Sequence, residues 1–385
     1  MDRRSFLRSG AVATGAFALS GSLWQAASAA PAQKGTSPYG GLRAADANGI
    51  MLPTGFTSRV VARSRQSVAG YVWHDAPDGG RCFANGTGWI YVSNSEITAT
   101  GGASAIRFSS AGTIQSAYRI LGNTNRNCAG GSTPWNTWLS CEETDSGFVY
   151  ETDPFGAKAA VRRPAMGRFT HEAAAADGVR RAVYLTEDKP DGCLYRFLPN
   201  TWGNLSAGTL QVLVAGIPTS GSYTWTEIPD PSAAATPTRN QVPGAKRFNG
   251  GEGCYYSNGR LWFTTKGDNR LWRLNLGSGT YQLDYDDNLV TGGGAPLTGV
   301  DNLIGSRSGD LFIAEDGGNM EISILTPNAV VAPFLRIVGQ STSEVTGPAF
   351  SPDGSRLYFS SQRGTTGADS GGITYEVTGP FRPTA

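Results

Sequence analysis

Leu261-Trp262-Phe263-Thr264-Thr265-Lys266 reads, position by position, as aliphatic, aromatic, large apolar, small, then two polar residues. Aromatic and β-branched residues in a short run of this kind form a strand. The phrase returns as Ile90-Tyr91-Val92-Ser93-Asn94-Ser95, Thr137-Trp138-Leu139-Ser140-Cys141-Glu142, Val183-Tyr184-Leu185-Thr186-Glu187-Asp188, Leu311-Phe312-Ile313-Ala314-Glu315-Asp316 and Leu357-Tyr358-Phe359-Ser360-Ser361-Gln362. A unit repeating every ~45–50 residues, with a glycine-marked turn before most copies, cannot bury its apolar face alone and must stack on its neighbours around an axis. Six copies predict an all-β chain folded as a six-bladed β-propeller.

Outward from the phrase, a second shared position lies about ten residues upstream, at the start of the preceding strand. Its occupants are Gly79-Gly80, Cys128-Ala129-Gly130, His171-Glu172-Ala173, Gly251-Glu252-Gly253, Val300-Asp301-Asn302 and Gly347-Pro348-Ala349. Hairpin geometry sets the start of one strand beside the end of its partner, so both polar columns are expected to open on one face. The first column brings Cys128, Glu172, Glu252 and Asp301; the second brings Glu142, Glu143, Glu187, Asp188, Glu315 and Asp316, with Glu96 just after the first phrase.

Carboxylates gathered so closely raise one another's pKa, so they are either protonated or neutralised by cations. An acid-rich set with one thiol, in a chain of two histidines, points to hard, oxygen-seeking ions such as calcium or ferric iron rather than zinc. Lys266, Lys189 and Arg363 end three of the phrases, where they suit an oxyanion such as phosphate or, equally, a salt bridge to a neighbouring carboxylate. Single acids before glycine, as in Glu315-Asp316-Gly317 or Asp353-Gly354, also read as turn formers. His171 reads as a donor to Glu172 or as a hydrogen-bonded structural ring. The aromatics of the phrase read as sheet packing.

The chain has 385 residues, 52 glycines, 16% charged residues and a formal charge of +1. That near-neutral balance leaves no footprint for nucleic acid. Arg3-Arg4 before Phe6-Leu7, a mildly apolar run over 11–23 and Ala27-Ser28-Ala29 predict a twin-arginine signal over residues 1–29. It implies the twin-arginine export machinery as a partner, delivery to the periplasm, cell wall or medium, and no stable membrane insertion. A Pro/Gly/Ala-rich flexible lead is expected over 30–50, and one propeller domain over 51–385, acting as a monomer. Residues 229–243 read as an inserted loop over one face, and Ile373-Thr374-Tyr375-Glu376-Val377 as a last strand that closes the ring. Five cysteines leave open a Cys193–Cys254 or Cys82–Cys141 pairing, or buried thiols throughout.

The stretch Asn127-Cys128-Ala129-Gly130-Gly131-Ser132-Thr133-Pro134-Trp135-Asn136-Thr137-Trp138-Leu139-Ser140-Cys141-Glu142-Glu143 closely resembles the Cys-containing segment of the PhoX-type alkaline phosphatases. Gly167 to Glu172, Tyr184 to Asp188, Glu252-Gly253, Asp301-Asn302-Leu303 and Gly347 to Gly354 are similar to the same family, of which this is a short member. The resemblance implies a six-bladed propeller that hydrolyses phosphomonoesters with ferric and calcium ions. It implies Cys128 as an iron ligand, Glu172, Glu252, Asp301, Glu142, Glu187 and Glu315 as further metal ligands, and Lys266 and Arg363 as the cations that steady phosphate. Alternatives from the residues alone are a calcium-dependent lactonase-type propeller and a non-catalytic metal-binding propeller.

Overall fold

Each repeated phrase is a strand paired antiparallel with the strand before it: Pro77–Asn85 with Gly88–Ser95, Asn127–Ser132 with Trp138–Glu142, and His171–Asp177 with Ala182–Glu187. The pattern continues with Gly251–Ser257 and Arg260–Thr265, Val300–Gly305 and Leu311–Glu315, and Val345–Phe350 and Arg356–Ser361. These strands come from a computed structural model that describes residues 30–216 and 218–384. The predicted signal over 1–29 lies outside the described residues.

The upstream strands contact one another in sequence, and Val345–Phe350 returns to Pro77–Asn85, so the sheets stand around a ring as in a β-propeller. Sheet boundaries depart from six separate four-stranded units. The third and fourth repeats share one nine-stranded sheet, because Gly221–Glu227 pairs with Asn204–Ala215 on one side and with Thr280–Asp286 on the other. The sheet begun by Val300–Gly305 has six strands. Its extra strands come from the lead expected to be a loose strap: Gln33–Lys34 pairs with Val330 and Val331, and Ile50–Met51 with Ile337 and Arg336.

Ile373–Thr378 pairs with Arg356–Ser361 and with the early strand Thr57–Arg63, so a strand from before the first repeat completes the last sheet. An ion cluster around the buried Glu376 ties this seam. Glu376 accepts from Arg59 at 2.8 Å, Arg356 at 2.7 Å and the Tyr358 hydroxyl at 2.5 Å.

The phrase aromatics Tyr91, Trp138, Tyr184, Trp262, Phe312 and Tyr358 are all buried between sheets. Tyr91 stacks on Tyr358 at 5.0 Å, joining the first sheet to the last. Burying one such ring contributes about 1.5–3 kcal/mol, which makes the phrase the radial packing element. All five cysteines are free thiols. Among the described residues no helix is long and apolar enough to cross a membrane.

Every upstream strand carries a β-bulge at the same place. Register slips by one residue between Pro77 and Gly80, Asn127 and Gly130, His171 and Ala174, Gly251 and Cys254, Val300 and Leu303, and Thr346 and Ala349. Two residues therefore face one, the strand bends, and the first bulged side chain is re-aimed.

Candidate metal centre

Five of the six first bulged positions carry a potential ligand: Asp78, Cys128, Glu172, Glu252 and Asp301, with Gly347 at the sixth. The neighbouring sheet holds several of them by their carbonyls. The residue opposite one bulge donates to the backbone of the next: Asn94 Nδ2 to Cys128 O at 3.0 Å, Thr186 Oγ1 to Glu252 O at 2.6 Å, and Thr264 Oγ1 to Asp301 O at 2.6 Å. Trp138 Nε1 and Ser140 Oγ donate to Asn94 Oδ1 and fix that amide in turn. Ligand placement is thus a property of the ring rather than of any one sheet.

Three groups of ligand atoms, each within 4.8 Å of one another, form a linked arc: Asp78 with Glu96 and Cys128, Cys128 with Glu143 and Glu172, and Glu172 with Glu252 and Asp301. Burial, reinforced by neighbouring carboxylates, pushes the Asp78, Cys128 and Glu172 acids well above their ordinary ranges. Burial does the same to Glu252 and Asp301, although Lys266 opposes it. Glu143 is pushed up to about 9, first by burial and then by Glu96. Both carboxylate oxygens of Glu172 are buried without a hydrogen-bond partner among the described residues. Buried carboxylates are ordinarily satisfied, so this one requires a proton or a cation. A thiol flanked by acids at one end and an all-carboxylate trio at the other are donor sets that could hold metal ions.

Of the residues expected from the sequence, Cys128, Glu172, Glu252 and Asp301 converge here, and Lys266 stands at the edge, its Nζ 2.9 Å from Glu252 and 3.2 Å from Asp316. Glu142, Glu187 and Glu315 do not join them. Each pairs with the residue just before a bulge and turns away from the arc to tie a loop. Glu142 accepts from the N–H of Asn125 and Phe148, Glu187 from Cys193 N and the Tyr195 hydroxyl, and Glu315 from Thr298 N. One residue further on, side chains swing to the other face. Glu96 and Glu143 occupy that column and enter the arc, and Gln362 donates to Asp78 Oδ2 at 2.6 Å and to Glu96 Oε2 at 2.8 Å.

Arg363 is held by Glu344 at 2.5 Å and reaches Asp369 at 3.8 Å. Lys189 pairs with Asp145. His171 is a structural ring: its Nε2 bonds Gly167 O at 3.1 Å, its plane stacks on Phe169, and burial pulls its pKa down to about 3. The inserted loop packs beside Glu187, where Arg239 reaches Glu187 at 3.2 Å and Asp191 at 3.0 Å. Asp78 is absent from the expected ligands because the shared position in the first repeat reads as Gly79-Gly80, one residue further on. Setting Gly80 against Gly130 in the repeat column puts Asp78 level with Cys128.

A sequence model of the family described as alkaline phosphatase PhoX matches residues 89–146 and 144–279, the stretch that carries Cys128, Glu143, Glu172 and Glu252. The structure of Pseudomonas fluorescens PhoX in complex with vanadate, a transition state analogue, is similar with a TM-score of 0.72 and 20% identity over 90% of this chain and 98% of that chain. A gluconolactonase from Xanthomonas campestris reaches a TM-score of 0.49 at 13% identity, over 92% of this chain and 99% of that one, and is too distant to bear on the site. No curated protein matches. The chain belongs to the PhoX-type alkaline phosphatase family.

Proposed function

We propose that this protein is an exported, metal-dependent phosphomonoesterase, a six-bladed propeller in which the nine-stranded sheet supplies two blades. The observation that carries the reading is Glu172, a buried carboxylate with both oxygens unpartnered, set between a thiol-containing group and an all-carboxylate group. Cys128, with Asp78, Glu96, Glu143 and Glu172, would hold iron, and Glu172, Glu252 and Asp301 would hold calcium. When bound, such cations supply Lewis acidity toward phosphoryl oxygens and neutralise their charge.

The chain's own residues do the rest. The bulges aim the ligands, and carbonyl bonds from Asn94, Thr186 and Thr264 keep those bulges from relaxing. Lys266 supplies fixed positive charge beside Glu252, with Arg363 behind Glu344, to stabilise the charge that grows on the transferring phosphoryl group. Gln362 orients Asp78 and Glu96 through its amide N–H groups. The thiol favours this reading over a lactonase-type hydrolase, which needs no such ligand.

Elemental analysis of protein folded in the cytoplasm, with turnover of p-nitrophenyl phosphate and of simple lactones, tests the proposal. Iron and calcium together with phosphate release are expected, and Cys128→Ala should lose iron and turnover together. Calcium without iron, with lactone cleavage, would replace the proposal by the lactonase alternative.

A further inference from the structure

Arg126 lies two residues before Cys128, in the turn between the strands Ile114–Thr124 and Asn127–Ser132. Its φ is +43°, the left-handed region in which a residue with a Cβ is strained. Backbone bonds on both sides hold it there. Its N–H donates to Ile97 O at 3.0 Å, and Glu143 N–H donates to its carbonyl at 2.9 Å. A turn alone would be better served by glycine or asparagine.

The side chain spans two of the three ligand groups. Nε and Nη2 donate to Glu96 Oε1 at 2.9 and 2.6 Å, and Nη2 donates to Glu143 Oε2 at 2.9 Å. Glu96 groups with Asp78 and Cys128, and Glu143 with Cys128 and Glu172, so the guanidinium bridges the two groups that share the thiol. Its Nη1, with two N–H bonds, has no partner among the described residues. The Arg126 side chain is 45% exposed, against 9% for Glu96 and 14% for Glu143. A guanidinium pinned through Nε and Nη2 by two carboxylates, on a side chain 45% exposed, keeps Nη1 donors with which to receive an oxyanion.

We propose that Arg126 is a substrate-binding residue whose Nη1 edge receives a phosphoryl oxygen of a dianionic phosphate monoester, selecting it over monoanionic diesters. The inference rests on the phosphatase reading and extends it. Arg126 acts apart from Lys266, whose ammonium is engaged by Glu252 and Asp316.

Metal-loaded wild type, Arg126→Gly and Arg126→Lys test the assignment with p-nitrophenyl phosphate, bis(p-nitrophenyl) phosphate and inorganic phosphate as probes. Glycine accepts the φ of this position, so the turn survives in Arg126→Gly. That variant should keep wild-type metal content while its KM for the monoester and its inhibition constant for phosphate both rise at least about tenfold. Diester turnover should change less, and Arg126→Lys should recover part of the loss. An unchanged KM and inhibition constant, an equal loss on both esters, or loss of metal in Arg126→Gly overturns the assignment. Wild-type turnover with an unaffected Arg126→Gly sinks this inference alone. A wild type that binds phosphate but cleaves no ester, with binding weakened in Arg126→Gly, ends the phosphatase reading and upholds the receptor; a wild type that binds no phosphate ends both.

Discussion

Glu142 and Glu143 are consecutive in the chain and serve opposite faces of one strand end. The Glu142 carboxylate accepts from Asn125 N at 2.9 Å and Phe148 N at 3.1 Å, while Glu143 lies within 4.8 Å of the Cys128 and Glu172 ligand atoms. Their glutamine variants should separate cleanly. Glu143→Gln is expected to lower metal affinity or turnover by about 10–100-fold with little change in melting temperature. Glu142→Gln sets an amide N–H against a backbone N–H and should cost about 1–2 kcal/mol of stability while metal content holds. Elemental analysis beside thermal melts checks both, and the reverse pattern would reverse the assignment.

Lys266→Met removes the ammonium 2.9 Å from Glu252 and keeps the length of the side chain. Turnover of p-nitrophenyl phosphate should fall about 10²-fold, the usual scale for one electrostatic donor, with metal content retained. Steady-state kinetics on matched metal-loaded samples would expose a merely structural lysine as one whose loss leaves kcat untouched.

Glu376 is 2% exposed and binds two arginines that are themselves partly open to solvent. Because those arginines can be rehydrated, Glu376→Gln should cost about 2–3 kcal/mol, short of the full penalty for breaking a sealed pair. Urea titration of the two proteins reads this directly. A difference inside experimental scatter would mean that the seam is held by its strand pairing and aromatics alone.

Burial pushes the Glu315 carboxyl up to about 7, with Glu321 adding to the effect. An unfolded glutamate titrates at about 4.3, so between that pH and about 7 the folded chain holds a proton that the unfolded chain has released. Stability from this group is complete below the window and falls as pH rises through it, by up to about 4 kcal/mol. Glu315→Gln keeps an acceptor for Thr298 N–H and should gain on wild type as pH is raised from 5 to 8. Parallel melting curves across that range would show that the carboxyl titrates elsewhere.

The ring was legible because the repeated phrase is chemistry that only a strand packed on both faces can use, and its aromatics lie where that reading puts them. Cys128, Glu172, Glu252 and Asp301 were legible for a related reason: they hold one repeat position. The second column was harder. Glu142, Glu187 and Glu315 sit one residue from the side chains that face the arc, and in a strand one residue changes face. Acidic pairs such as Glu142-Glu143 and Glu315-Asp316 carry no mark of which member turns inward; that depends on the extra residue in the bulge. Asp78 lies one residue outside the Gly79-Gly80 pair that marks the column in the first repeat, so it shares no visible position with Cys128. The nine-stranded sheet was out of reach as well, because pairing between Gly221–Ser222 and Thr280–Tyr281 joins stretches that share no pattern.

Thr57–Arg63 takes its place beside Ile373–Thr378 only once the far end of the polypeptide exists. Until residues 373–378 have been made, the strand edge at Thr57–Arg63 that they pair with has no partner on that side. The ring contact between Val345–Phe350 and Pro77–Asn85, the strand that carries Asp78, likewise joins late residues to early ones. A chain stopped a few dozen residues short would carry nearly every ligand and still lack the vessel to hold them.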